Sequence, residues 1–267
     1  MVRAFSALFC MLFLTCGGHA ADYTSPVPTE FQNSVLRGSI GLRYWYSQNN
    51  SEMDTGDFHW NTVDGVTSHT AEIVGELENR STNMFVRAYA GLGRNSGGEG
   101  DFYTNPSGDL EETALGYVVV DGGVRFAEFA NGQIKMKGFV GYHYLNDSID
   151  AVDRNTVIEQ RRQWHALRVG LTAEGDLSDR FSWSFDVAAV PWSHNRVETW
   201  ESNWTYGVEA DAMLNFDVTN NWQIGVGGRY LWLQSNFDRR YIFTGEKVVF
   251  EQNYQRYGVL LESRYTF

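Results

Sequence analysis

The sequence predicts an all-β protein: a closed antiparallel transmembrane β-barrel of about ten strands with long extracellular loops. Three observations predict it. An export-type leader opens the chain, apolar and charged residues alternate with period two in ten separate stretches, and the connections between those stretches alternate short and long.

The leader comes first. Arg3 carries its positive charge, residues 4–16 are apolar apart from Ser6 and Thr15, and Gly18-His19-Ala20 ends on the small residue a signal peptidase needs. The apolar run is shorter than the roughly 20 residues that anchor a helix in a bilayer. Cleavage is expected after Ala20, leaving residues 21–33 as a periplasmic segment and residues 34–267 as the barrel. A lipoprotein site at Cys16 competes, but bulky Phe13 and Leu14 precede it where small residues are required.

Removing the leader removes Cys10 and Cys16, which are the chain's 2 cysteines. The remainder is expected to hold no disulfide, no thiol nucleophile and no cysteine-ligated metal. It also takes away one positive charge, moving the formal net charge from −12 to −13. That acidity argues against nucleic acid as a partner. Aromatic residues make up 15% of the chain, with 27 glycines and only 4 prolines. In an exported chain this mixture points to strands with Trp and Tyr girdles where a barrel meets lipid.

The closing stretch, residues 257–267, shows the alternation most clearly. Tyr257, Val259, Leu261, Tyr265 and Phe267 fall on one parity, and Glu262 and Arg264 on the other. Successive strand side chains point to opposite faces, so one face meets lipid and the other the lumen. Nine earlier stretches repeat this. Leu36, Ile40, Leu42, Tyr44 and Tyr46 oppose Arg37 and Arg43; Ala71, Ile73 and Leu77 oppose Glu72, Glu76 and Glu78. Met84, Val86, Ala88 and Leu92 oppose Arg87 and Tyr89, and residues 113–126 are less regular. Ile134, Met136, Val140, Tyr142 and Tyr144 oppose Lys135, Lys137 and His143; Leu167, Val169 and Leu171 oppose Arg162, Arg168 and Glu174. Residues 181–189 set Phe181, Trp183 and Phe185 against Asp186. Residues 206–217 set Tyr206, Val208 and Leu214 against Glu209 and Asp211, and residues 222–232 set Ile224, Val226 and Tyr230 against Arg229.

Short turns are expected at residues 79–82, 130–132, 177–179 and 219–221, all rich in turn formers. Long polar connections are expected at residues 48–68, 95–112, 146–160, 194–203 and 235–249, facing outside the cell. An even strand count leaves both termini in the periplasm. Closure itself is forced, because an unpaired backbone group in hydrocarbon costs several kcal/mol. The inward arginines and carboxylates carry both signs in a narrow lumen and are expected to pair and plug it.

With these features the chain resembles the omptin family of ten-stranded outer-membrane proteases. The likeness rests on strand count, long outer loops, the closing Tyr265-Thr266-Phe267 and a Gly-rich strand end running from Ala90 to Phe102. The resemblance implies a catalytic acidic pair at Glu99 and Asp101, followed by aromatic Phe102. It also implies recognition of the C-terminal Phe267 by the barrel-assembly machinery and contact with lipopolysaccharide. Paired carboxylates one residue apart can share a proton or bind an activating water. The family's Asp-x-His pair is missing from residues 192–200; His194 stands there without an aspartate two residues before it, and Glu198 could substitute only by a rearrangement. Read without the resemblance, Glu99 and Asp101 form a solvated acidic loop and His194 a rim residue.

Other patterns carry less. Asp147, Asp150 and Asp153 recur every third residue and suggest either a calcium loop or a hydrated one. Trp192, Trp200 and Trp204 suit a stacking platform or the aromatic girdle. Gly225-Val226-Gly227-Gly228 has no helix after it and is no phosphate cradle. No cofactor and no metal site is expected. The expected function is a plugged surface barrel of the Gram-negative outer membrane, structural or recognising an extracellular ligand. The alternatives are an omptin-type endopeptidase using Glu99, Asp101 and His194, and a small-solute channel.

Overall fold

The computed structural model describes residues 35–267 apart from residues 57, 103–104, 154–155, 198–199 and 241–246. The expected leader and periplasmic segment, residues 1–33, lie outside the described residues. Thirteen strand segments follow in order: β1 (Leu36–Thr55), β2 (Phe58–Asn79), β3 (Met84–Ser96), β4 (Glu99–Phe102), β5 (Asn105–Asp109), β6 (Thr113–Phe129), β7 (Ile134–Asp153), β8 (Thr156–Asp176), β9 (Phe181–Val197), β10 (Trp200–Glu201), β11 (Trp204–Asp217), β12 (Trp222–Arg240) and β13 (Lys247–Thr266).

These make ten staves. β4 continues β3 along β2 in unbroken register, from Thr67↔Ser96 to Asp64↔Glu99. β5 likewise extends β6, and β10 extends β11. Neighbours pair antiparallel in the order β1-β13-β12-β11-β9-β8-β7-β6-β3-β2, and β2 pairs back onto β1. No edge is left on the ring, as a sheet in hydrocarbon requires. At the seam the ladder runs from Ser39↔Thr266 to Asp54↔Glu251, and Gly38 and Phe267 exchange both backbone hydrogen bonds at 2.9 Å.

The outward parity is the expected one. Leu42, Ile73, Val86, Leu92, Val140, Leu171, Leu214, Val226, Val259 and Leu261 are exposed and form an apolar band. Phe126, Phe129, Phe181, Trp222, Tyr265 and Phe267 flank it towards the short turns; Tyr46, Tyr142, Trp192, Trp204, Tyr206 and Tyr257 flank it at the other end. Trp192 and Trp204 thus belong to the girdle; the Trp200 side chain lies outside the described residues. The four short turns stand where the sequence placed them. Asn79 organises the first, its Oδ1 accepting from the Ser81 and Thr82 amides at 2.9 and 3.3 Å.

The outer connections differ from expectation. They are long in sequence but mostly laddered: β1 and β2 pair on through residues 48–68 to Thr55↔Phe58, and β7 and β8 to Asp153↔Thr156. The reason is physical. Beyond the lipid both faces of a strand are polar, so the hydrophobic alternation fades while the hydrogen-bonded ladder does not. β1, β2, β7, β8 and β13 each run 20 to 22 residues. At about 3.3 Å per residue and a tilt near 40° the barrel stands roughly 50 Å tall, about twice the apolar band of such barrels. One irregularity has a clear cause: Pro191, lacking an amide hydrogen, sits where β9 slips register against both β8 and β11.

Gly258 sets the seam's spacing. A Cβ on it would overlap the Tyr46 carbonyl and the Ser47 Cα of β1, both backbone atoms with no room to give. Gly258→Val is expected to abolish the folded, heat-modifiable band on unboiled SDS gels. Gly122→Ala, where a Cβ meets nothing within 4 Å, should fold like the parent. Normal folding of Gly258→Val contradicts this account of the seam.

Candidate functional site

The inward parity of every stave projects into the lumen, and most of its side chains there are buried. In the half nearer the short turns many of these side chains are charged, and each charge must find a partner from another stave. Arg43 of β1 reaches across the seam to Glu262 of β13 at 2.6 Å and also approaches Glu72 of β2 at 3.4 Å. Arg229 of β12 crosses the lumen to the same Glu72 at 2.6 Å and makes a two-pronged contact with Asp211 of β11, both prongs at 2.8 Å. Tyr117 of β6 donates its hydroxyl to Glu72 as well.

A second group is built around Asp121 of β6. It accepts from Arg168 of β8 at 2.8 Å and from Arg87 of β3 at 2.9 Å. Arg87 also pairs with Asp186 of β9 at 2.7 Å, and Thr172 donates to that carboxylate. Arg168 continues to Glu209 of β11 at 2.8 Å, whose other oxygen lies 2.6 Å from His143 Nδ1 on β7. Nearer the turns, Lys137 bridges Glu76 and Glu174 at 2.9 and 3.0 Å, and Arg125 pairs with Glu78 at 2.6 Å. All ten staves contribute. Among the charges expected to point inward, Arg37 is the exception, exposed at the rim by the turns.

The outer half of the lumen is filled with mostly uncharged polar groups. Asp147 accepts from Asn95 at 2.5 Å, Asn49 at 2.9 Å and Tyr254 at 3.1 Å. Asn195 donates to Ser235 and Gln252 at 3.0 and 2.9 Å. At the outer end Met53, Val197, Phe237 and Phe250 form an apolar cluster with Trp60 and Val248 against it. One gap of about 60 Å³ lies between Arg43, Arg87, Asp186, Asp211 and Glu262, room for a few waters.

The residues singled out by the sequence as catalytic sit elsewhere. Glu99 and Asp101 are exposed on either side of Gly100, which is buried and faces the buried Val63. Both therefore point out of the barrel wall, Glu99 opposite Asp64 and Asp101 opposite Thr62. His194 lies on β9 between inward Ser193 and Asn195, on the outward parity of Trp192, opposite His165. β9 stands four staves round the ring from β3 and β4. The fold brings Glu99 and Asp101 together and does not bring His194 to them. Glu198 and the Phe102 side chain lie outside the described residues. Asp147 is turned inward rather than into an outer loop, and the side chains of Asp150 and Asp153 are outside the description.

Sequence reasoning missed Asp121, Trp45 and Tyr117 as lumen residues. Asp121 follows the apolar run Val118-Val119-Val120, which hides the parity. Trp45 shares the parity of Arg43, and that signal was available.

Among solved structures, the chain is similar to the outer membrane protease OmpT of Escherichia coli over 87% of its own length and 96% of that chain, with a TM-score of 0.55 and 11% identity. Also similar are the β domain of the Bordetella autotransporter BrkA (84% and 100% covered, TM-score 0.41, 11% identity) and the outer membrane protein OprG of Pseudomonas aeruginosa (86% and 96%, 0.38, 10%). No family model and no curated protein matches the sequence. At 11% identity the OmpT likeness shows the fold alone: a closed antiparallel barrel of ten staves.

Arg229→Met leaves Asp211 and one oxygen of Glu72 without their closest cation. The unfolding free energy in detergent should fall by about 3–5 kcal/mol, read from urea midpoints. Arg229→Met with Asp211→Leu should recover part of that loss. Arg94→Met, which breaks the exposed pair with Glu112, should leave the midpoint unchanged.

Proposed function

We propose that the chain is an integral outer-membrane barrel of a Gram-negative bacterium, exported by residues 1–20, that acts at its outer surface without conducting solutes. The filled lumen is the observation that carries this reading. Ion pairs contributed by opposite staves occupy its inner half, and an apolar cluster closes its outer end. A barrel whose lumen is filled by side chains of the described residues, with a wall standing well beyond its apolar band, offers its outside as the working surface. Phe267, exposed at the seam and bonded to Gly38, is the element the barrel-assembly machinery would read, and lipopolysaccharide would surround the aromatic ring at the outer end. An extracellular ligand or a purely structural task fits this surface.

The separate outward placement of Glu99, Asp101 and His194 supports a non-proteolytic role. Two measurements test the proposal. In planar bilayers the refolded protein should insert without steady conductance; a stable ohmic current would replace this reading with a channel. Refolded protein with lipopolysaccharide should leave dibasic peptides intact, whereas cleavage that disappears in Asp101→Ala would establish the protease.

A further inference from the structure

Just above the outer aromatic ring the outward wall changes chemistry, and on neighbouring staves the change is to amides. Gln48 and Asn50 of β1, Asn253 and Gln255 of β13 and Gln234 of β12 all lie on the outward parity, alternating with buried lumen residues. The ladders set them side by side: Gln234 opposite Asn253, and Gln255 between Asn50 and Trp232. Tyr206 of β11 ends the row opposite Gln234, and Tyr257 stands opposite Gln48. At about 4.8 Å between staves and 3.3 Å per residue, this face is roughly 14 Å wide and 13 Å tall.

Partners within the wall fix which end of each amide is left over. The Trp232 indole N–H donates to Asn253 Oδ1 at 2.8 Å, and the Gly65 backbone N–H to Asn50 Oδ1 at 3.0 Å. Both groups can only donate, so these two oxygens are spent on the wall. The Tyr206 hydroxyl donates to Gln234 Oε1 at 2.9 Å and the Tyr257 hydroxyl to Gln48 Oε1 at 3.2 Å. Among the described residues none of these four NH2 groups has a protein partner, and none is buried, so all four are left to the medium. The rings are held too: Tyr206 and Trp232 pack edge to face with centroids 5.8 Å apart. Among the described residues no charged side chain lies on this face, and Glu52 and Glu251 border it on the outer side.

We infer that this face docks a neutral glycan from the extracellular medium. A sugar offers hydroxyl and ring oxygens to the NH2 donors and apolar C–H faces to the rings, so both halves of the surface are used at once. Phosphate and carboxylate call for cations, and this face has none. The phosphorylated saccharides of the membrane's own lipid are therefore not the occupant. An apolar peptide segment would strip water from the NH2 groups and leave them unpaired. The inference rests on the outer-surface reading proposed above and names the class of ligand that surface takes.

The test uses the whole barrel refolded in a polyoxyethylene ether detergent, which carries no sugar. Saturation-transfer difference NMR with glucan, mannan, galactan and chitin oligosaccharides should show saturable contact through sugar C–H protons for at least one of them, undiminished by high salt. Trp232→Leu and Tyr206→Leu should each weaken that binding about tenfold, the loss of one stacked ring, while keeping the folded band on unboiled gels. If either does not fold, Gln255→Ala takes its place and should also weaken binding. Trp222→Leu, in the ring near the short turns, should bind like the parent. No saturable binding of any neutral oligosaccharide overturns the inference. So does binding confined to oligogalacturonate or lipopolysaccharide, or binding that the Trp232 and Tyr206 replacements leave unchanged. A conducting barrel that binds the sugars would end the surface reading and keep this face; a silent barrel that binds none would do the reverse.

Discussion

A charge turned into a lumen sealed from bulk water has to meet its opposite there, and on this barrel the opposite is supplied by a different stave. Glu72 shows how far the requirement reaches. It stands on β2, yet it takes Arg43 from β1, Arg229 from β12 and the Tyr117 hydroxyl from β6. Asp121 does the same on the other side of the ring with Arg87 and Arg168. Such pairs add little net stability over an apolar filling, because desolvation cancels much of the attraction. What they supply is register. A one-residue slip of any stave would send its charges into lipid and its leucines into the lumen. The Arg43–Glu262 pair places that constraint on the seam itself, where the first and last staves must find each other.

The inner half of the fold was readable because each strand there faces two different solvents. Leu42 beside Arg43, Ile73 beside Glu72 and Val169 beside Arg168 each announce which way the wall faces, and the structure follows all three. The outer half was not readable by the same signal. Ser51 points inward and Glu52 outward, yet both are polar, so residues 48–68 read as loop although their backbones pair nearly to the tip. Asp147 suffered the same way: beside Asp150 and Asp153 it resembled a hydrated loop, whereas the ladder turns it inward onto Asn49, Asn95 and Tyr254.

The acidic pair and His194 illustrate a different limit. Spacing along the chain put Glu99 and Asp101 on one face, and they do share one. Whether a third residue from another stave joins them is a question of ring position and parity. The parity of His194 was present in the sequence, since it matches that of Trp192, itself a girdle candidate. Only the order of staves shows that β9 stands four places from β3 and β4. A fold shared with a protease at 11% identity therefore says nothing of whether its chemistry is shared.

The central claim is that the chain's own side chains fill the lumen apart from gaps the size of a few waters. Because residues 35–267 contain no cysteine, single replacements can report on it directly. Ser47→Cys and Val119→Cys place thiols at positions that are 0% exposed on the inward parity, and Gln48→Cys places one on the outer wall. A charged methanethiosulfonate reagent should modify Gln48→Cys promptly and leave the two inward thiols untouched in the folded barrel. Prompt modification of Ser47→Cys and Val119→Cys would show a water-filled interior and contradict the account.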